Sequence, residues 1–187
     1  FHGAYPQRYL PLVEKLIQPG DMAVIRQKID FLGVNYYSPM YQRVDPAGLL
    51  GTNWGALPEG MRTTAMTWGI DPTGLTDILG ELRDHYDNPR VYVTENGAFF
   101  KEAPGPSGRI DDSERIAYLH DHIAASHHAI AAGSNLDGYF IWTLVDNWEW
   151  SHGFTATFGL ARLDRATLTR SPKASFDWFA RVTTANA

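Results

Sequence analysis

A chain of 187 residues that is 44% hydrophobic, 13% aromatic and 20% charged has globular composition on a length suited to one domain. Its net charge of −5, without Lys/Arg blocks, gives no electrostatic reason to expect nucleic acid or an anionic membrane surface. Zero cysteines exclude disulfide scaffolds, cysteine metal sites and thiol chemistry, and no apolar run approaches the ~20 residues of a membrane helix. In chain order, residues 5–17 read as a helix opening after Pro6, and residues 21–29 as another with Met22, Ile25 and Ile29 on one face. Residues 31–37 (FLGVNYY) read as a buried parallel strand. Residues 38–67, rich in Gly, Pro and Thr, are too long for a simple connector and suit a functional or mobile loop.

Asp71-Pro72 then opens a helix to Tyr86, with Leu75, Ile78, Leu79, Leu82 and Tyr86 at helical spacing. Residues 91–97 (VYVTENG) form a second strand, and residues 101–108 a second functional or mobile loop. The longest helix spans residues 112–132, with Ile116, Leu119, Ile123 and Ile130 inward and Gly133 as its stop. Residues 138–144 (GYFIWTL) make a third strand, and residues 173–181 a last helix. Strands alternating with helices predict an α/β protein with a parallel sheet, in one domain over residues 1–187.

Polar groups cluster at the C-terminal strand ends, where β/α folds place their sites. Asn35, Tyr36 and Tyr37 end the first strand, Thr94-Glu95-Asn96-Gly97 the second, and Trp142 leads into Asp146-Asn147-Trp148-Glu149-Trp150 after the third. Position alone leaves Glu95 as either a reactive carboxylate or a structural one capping the next loop. Trp, Tyr, Asn and carboxylate together suit a sugar: rings pack on its C–H face while amides and carboxylates bind its hydroxyls. His120, His122, His127 and His128 on the longest helix read as a solvated face rather than a metal patch. Tyr36, Phe99, Phe100, Tyr118, Trp178 and Phe179 read as packing, Trp54 as loop or pocket rim, and Asp146 and Asn147 as loop braces.

The motifs FLGVNYY, TENG and WTLVDNWEW…FGL resemble, in order and spacing, those of glycoside hydrolase family 1, the β-glucosidase family. The resemblance implies the C-terminal portion of a (β/α)8 barrel, a partial TIM-type sheet of about three parallel strands. It implies Glu95 as the nucleophile of a retaining mechanism and Tyr37 as the tyrosine that orients it. It also implies substrate contacts from Asn35, Trp68, Trp142, Glu149, Trp150 and Phe158, with no cofactor and no metal. The substrate class is a β-glucoside or cello-oligosaccharide.

The family's acid/base glutamate stands in an Asn-Glu-Pro motif, which does not occur here. Glu149, Asp146, Asp111 or a histidine remain as surrogate proton donors. A non-catalytic or complementation-dependent sugar-binding fragment is the alternative reading. Three strands without a closed barrel leave unpaired sheet edges, so a homo-oligomer or association with a complementary barrel fragment is expected. The chain starts at Phe1 without a charged-then-apolar leader; a processed or truncated N-terminus is expected, with the cytoplasm as favoured compartment.

Overall fold

A computed structural model describes residues 1–185. Three strands, β1 (Leu32–Asn35), β4 (Val91–Asn96) and β5 (Leu136–Ile141), form a parallel sheet in the order β1-β4-β5. Helices α3 (Pro72–His85) and α4 (Ser113–Ala131) make the crossovers and cover one face of it. Asp71 caps α3 by accepting from the Thr73 N–H, and Pro72 occupies the first turn, where its missing N–H costs nothing. Leu75 and Leu79 of α3 and Ala129 of α4 pack on Val91 and Val93, the outward residues of β4. The arrangement is part of a TIM-type barrel: central β4 is buried at alternate positions, whereas β1 and β5 are edge strands.

Continuous apolar strands suggested cover on both faces, but Phe31 and Phe140 are each more than half exposed. The reason is that helices lie on one face only. The last helix, α5 (Ala174–Ala185), packs through Phe176, Trp178 and Phe179 beside Phe100, Tyr118 and Leu119.

The N-terminal expectations need correction. Residues 5–17 break into a 3-10 turn, a single α-turn α1 (Leu10–Val13) and another 3-10 turn, leaving Leu12 and Leu16 exposed. Helix α2 (Asp21–Ile25) stops before Ile29, and Val24, Ile25 and Ile29 face solvent. Segments this short hold a helix only when packing supports them, and these have little. The third strand starts two residues earlier than expected and ends before Trp142.

Two hairpins were not expected from the sequence. Strands β2 (Gln42–Val44) and β3 (Thr52–Trp54) pair within the long loop across an Asp45-braced turn. Strands β6 (Ala161–Leu163) and β7 (Arg170–Pro172) pair before α5. Both are short and mostly polar, so no alternating apolar pattern announces them.

The second loop is not mobile at its start, because Glu102 is buried there in a charged cluster. Arg115, 1% exposed, uses all five N–H donors: on Asp112 (2.8 Å), Glu102, and the carbonyls of Ala98, Thr157 (2.9 Å) and Phe158 (3.0 Å). Lys173 lies 2.9 Å from Glu102 and 3.3 Å from Asp146, while Asp112 accepts from the Ser175 N–H at 2.8 Å. This cluster ties the segment after β4, the start of α4, the segment before β6 and the start of α5 into one unit. Among the described residues no helix is long and apolar enough to cross a membrane.

Candidate active site

The site is set by a slip in the sheet. Val34 pairs with Val93, but Asn35 pairs with Glu95, so Thr94 is an extra residue; the pairing with β5 slips at the same place. Strict alternation would put Glu95 on the side of Val91 and Val93, against the helices. The bulge re-aims it. Thr94 and Glu95 both meet residues of the opposite face: the Thr94 hydroxyl donates to Asn35 Oδ1 at 2.6 Å, and the Tyr37 hydroxyl donates to Glu95 Oε2 at 2.6 Å. Asn96 then turns back to the helix side, fully buried.

Tyr37 stays protonated. Burial, and next the bond to Glu95, push its phenol well above the ordinary tyrosine range. Its ring stands edge-on to Trp68 at 5.5 Å and to Phe158 at 6.3 Å. Trp68 and Phe158 also meet at 6.1 Å, and Phe158, only 2% exposed, lies beneath them rather than on the surface. Asn35, Tyr37 and Trp68 line a cleft of about 800 Å³ together with Met40, Tyr41 and Trp54. Ile78, expected inward on α3, lines the same cleft.

The other predicted residues gather on the loop after β5. The Trp142 indole N–H donates to Glu149 Oε2 at 3.3 Å. Trp150 sits in a 3-10 turn (Trp150–His152) at φ +42°, 82% exposed. The turn is held by the Glu149 N–H on the Gly153 carbonyl and the His152 N–H on the Glu149 carbonyl. Asp146 and Asn147 brace the loop as expected: Asp146 accepts from the Gly159 N–H, and Asn147 donates to the Val145 carbonyl. That engagement, with Lys173 beside it, removes Asp146 as a surrogate proton donor.

Around α4 the histidine reading needs one correction. His122 is fully buried, stacked 4.0 Å from the Tyr118 ring, with its Nδ1–H donating to the Tyr118 carbonyl at 2.7 Å. His120, His127 and His128 are exposed, and Ile130, expected inward, is half exposed. Among the described residues no group of three His, Cys, Asp or Glu is placed to hold a metal ion. Sequence reasoning counted Thr94 and Asn96 among the strand-end polar groups and Tyr118 as packing, but gave neither them nor Tyr139 a part in the bonds behind the Tyr37–Glu95 pair. Their only advance signal was a polar Asn inside a strand otherwise built for burial.

Parallel strands with crossover helices, carrying their polar residues at the C-terminal ends, place the chain among the β/α barrels, of which it forms a part. It belongs to glycosyl hydrolase family 1, whose profile it matches over residues 1–187. Beta-glucosidase A of Acetivibrio thermocellus is 37% identical over 186 residues, 96% of this chain and 42% of that protein. A family 1 β-glucosidase structure from Thermotoga maritima superposes with a TM-score of 0.92 at 37% identity, over 100% of this chain and 42% of that one. A structure of the Thermotoga maritima β-glucosidase in complex with deoxynojirimycin superposes at 0.91, also at 37% identity and over the same shares. The chain thus spans about two-fifths of the length of the relatives it matches.

Proposed function

We propose that this chain carries the nucleophile half of a retaining β-glucosidase acting on β-glucosides or cello-oligosaccharides. The observation that supports it most is the 2.6 Å bond from the Tyr37 hydroxyl to Glu95 Oε2, at the C-terminal end of the central strand. A donor fixed on one carboxylate oxygen holds the group in place and leaves the other oxygen to react. In this reading a Glu95 oxygen attacks the anomeric carbon as the glycosidic C–O bond breaks. The leaving oxygen takes a proton from an acid, and water then cleaves the glycosyl ester with net retention. Glu149, Trp142 and Trp150 grip the sugar hydroxyls and ring face, and the 800 Å³ cleft beside Trp68 takes the aglycone.

Such a mechanism needs a second carboxyl about 5–5.5 Å from the nucleophile. Glu149 is tied to the Trp142 indole and serves binding in this scheme. The proton donor therefore comes from a segment carrying the earlier barrel strands. The open edges of β1 and β5, and the exposed Phe31 and Phe140, support such an association, which makes one barrel unit of residues 1–187 and their complement.

Incubation with a fluorinated, activated glucoside tests the nucleophile, since a good leaving group needs no acid. Covalent mass on the peptide holding Glu95, absent in Glu95→Gln, is the expected result. No label and no turnover of a nitrophenyl glucoside, alone or with a chain supplying the earlier strands, would overturn the reading. The missing Asn-Glu-Pro motif favours a second reading, a sugar-binding piece without turnover. Deoxynojirimycin titration with binding but no labelling would select it. Light scattering that shows a stable, well-folded monomer would count against the association.

A further inference from the structure

Beneath the Tyr37–Glu95 pair lies a polar chain whose donors and acceptors leave no freedom. The Asn96 amide donates to the Tyr36 carbonyl at 2.7 Å and to the Tyr118 hydroxyl oxygen at 3.2 Å. Its Oδ1 accepts from the Tyr139 hydroxyl. The Tyr118 hydroxyl has one proton, and it goes to the Tyr37 carbonyl at 2.9 Å. Both N–H bonds of Asn96 are used, and its oxygen is occupied. Asn96 is 0% and Tyr118 1% exposed, so no water substitutes readily for either. Each of these bonds ends on the backbone of residues 36–37 or on the residue next to Glu95.

We infer that Tyr118 and Asn96 are positioning residues that set the Tyr37–Glu95 contact from behind. Tyr37 stands just past the end of β1, outside the ladder, where backbone pairing with β4 has ended. Its carbonyl has no strand partner, and the Tyr118 hydroxyl takes that place. The backbone of Tyr37 is thereby fixed to α4, and through the Tyr118 hydroxyl to Asn96, the residue that follows the nucleophile. His122 completes the support by stacking on the Tyr118 ring and approaching Tyr36 at 5.9 Å. Without the Tyr118 hydroxyl the packing survives, but the anchor of Tyr37 is gone and its hydroxyl drifts from Glu95. The inference rests on the glycosidase reading for its purpose, though not for its test.

The test is Tyr118→Phe in the 187-residue chain, followed by NMR of Cζ-labelled tyrosines with Tyr37 assigned through Tyr37→Phe. The Tyr37 signal at neutral pH is expected to move toward that of a free phenol. Leu119→Ala opens a cavity one residue along the same helix and is expected to lower stability without moving that signal. An unmoved Tyr37 signal in Tyr118→Phe, or an equal shift in Leu119→Ala, overturns the proposal. Should Tyr118→Phe not fold, Tyr139→Phe frees only Asn96 Oδ1; a smaller shift of the same sign supports the proposal and none overturns it. Covalent labelling of Glu95 is expected to slow about three- to tenfold in Tyr118→Phe, the range for one hydrogen bond, and to be unchanged in Leu119→Ala. Failure of the wild type to label would sink the glycosidase reading alone, because the NMR comparison is independent of turnover.

Discussion

The corner around Glu95 and the loop around Trp150 are built in opposite ways. At the first, the polar atoms of Tyr37, Asn96, Tyr118 and Tyr139 are paired inside the chain, and the charged cluster on Arg115 clamps the surrounding segments. At the second, Glu149 and Trp150 ride on a short turn, and Trp150 presents most of its surface to solvent. In the proposed reading, the nucleophile is preorganised by this chain's own contacts, whereas the residues that would grip the sugar have walls on one side only. Geometry for chemistry and geometry for binding are thus separable here.

That contrast is most severely tested at the clamp. Arg115→Met removes the cationic partner of buried Asp112 and leaves Glu102 with Lys173 alone, and removing one partner from a buried pair costs about 3–5 kcal/mol. Urea denaturation is expected to show a loss of that size; one under about 1 kcal/mol would mean that water reaches the cluster. Next comes Tyr37→Phe, which removes a hydrogen bond to a charged group worth about 1.5–3 kcal/mol. Labelling of Glu95 is expected to slow roughly ten- to hundredfold, with thermal stability moved far less than by Arg115→Met.

A smaller effect concerns pH. Burial holds the His122 pKa below the ordinary histidine value, so the unfolded chain takes the proton first. Stability is therefore full above about 6.5 and is lost as pH falls below it, at no more than about 1.4 kcal/mol per pH unit, until the folded value is reached. His122→Phe is expected to flatten that slope in denaturation midpoints measured over the same range. Parallel slopes in the two proteins would assign the dependence to other groups. Trp150→Ala is the mildest for folding, within about 0.5 kcal/mol, because the side chain is 82% exposed. Calorimetry is expected to show weaker deoxynojirimycin binding with an unchanged melting temperature; unchanged affinity removes Trp150 from the sugar grip.

Much of this was readable in advance, and the failures share a cause. The sheet strands and the helices α3, α4 and α5 followed from period and capping, because their apolar faces pack within the chain. Residues 5–29 misled, since their apolar residues imply a partner surface that the chain itself does not supply. Arg115 and His122 sit at positions of α4 that any residue-type rule sends to solvent, and only the cluster and the Tyr118 ring explain their burial. The Tyr37–Glu95 pairing came from motif resemblance; counting along β4 alone would have turned Glu95 away from Tyr37.

The extra residue in β4 divides neighbours in the chain between two worlds. Glu95 turns to the face that carries Asn35 and Tyr37, and Asn96, one peptide further, is sealed in the dark between sheet and helix. A regular ladder that kept Thr94 in register would exchange the two, sending a carboxylate into the interior and an amide to the opposite face. In the proposed reading, a more orderly sheet would then be an inert one.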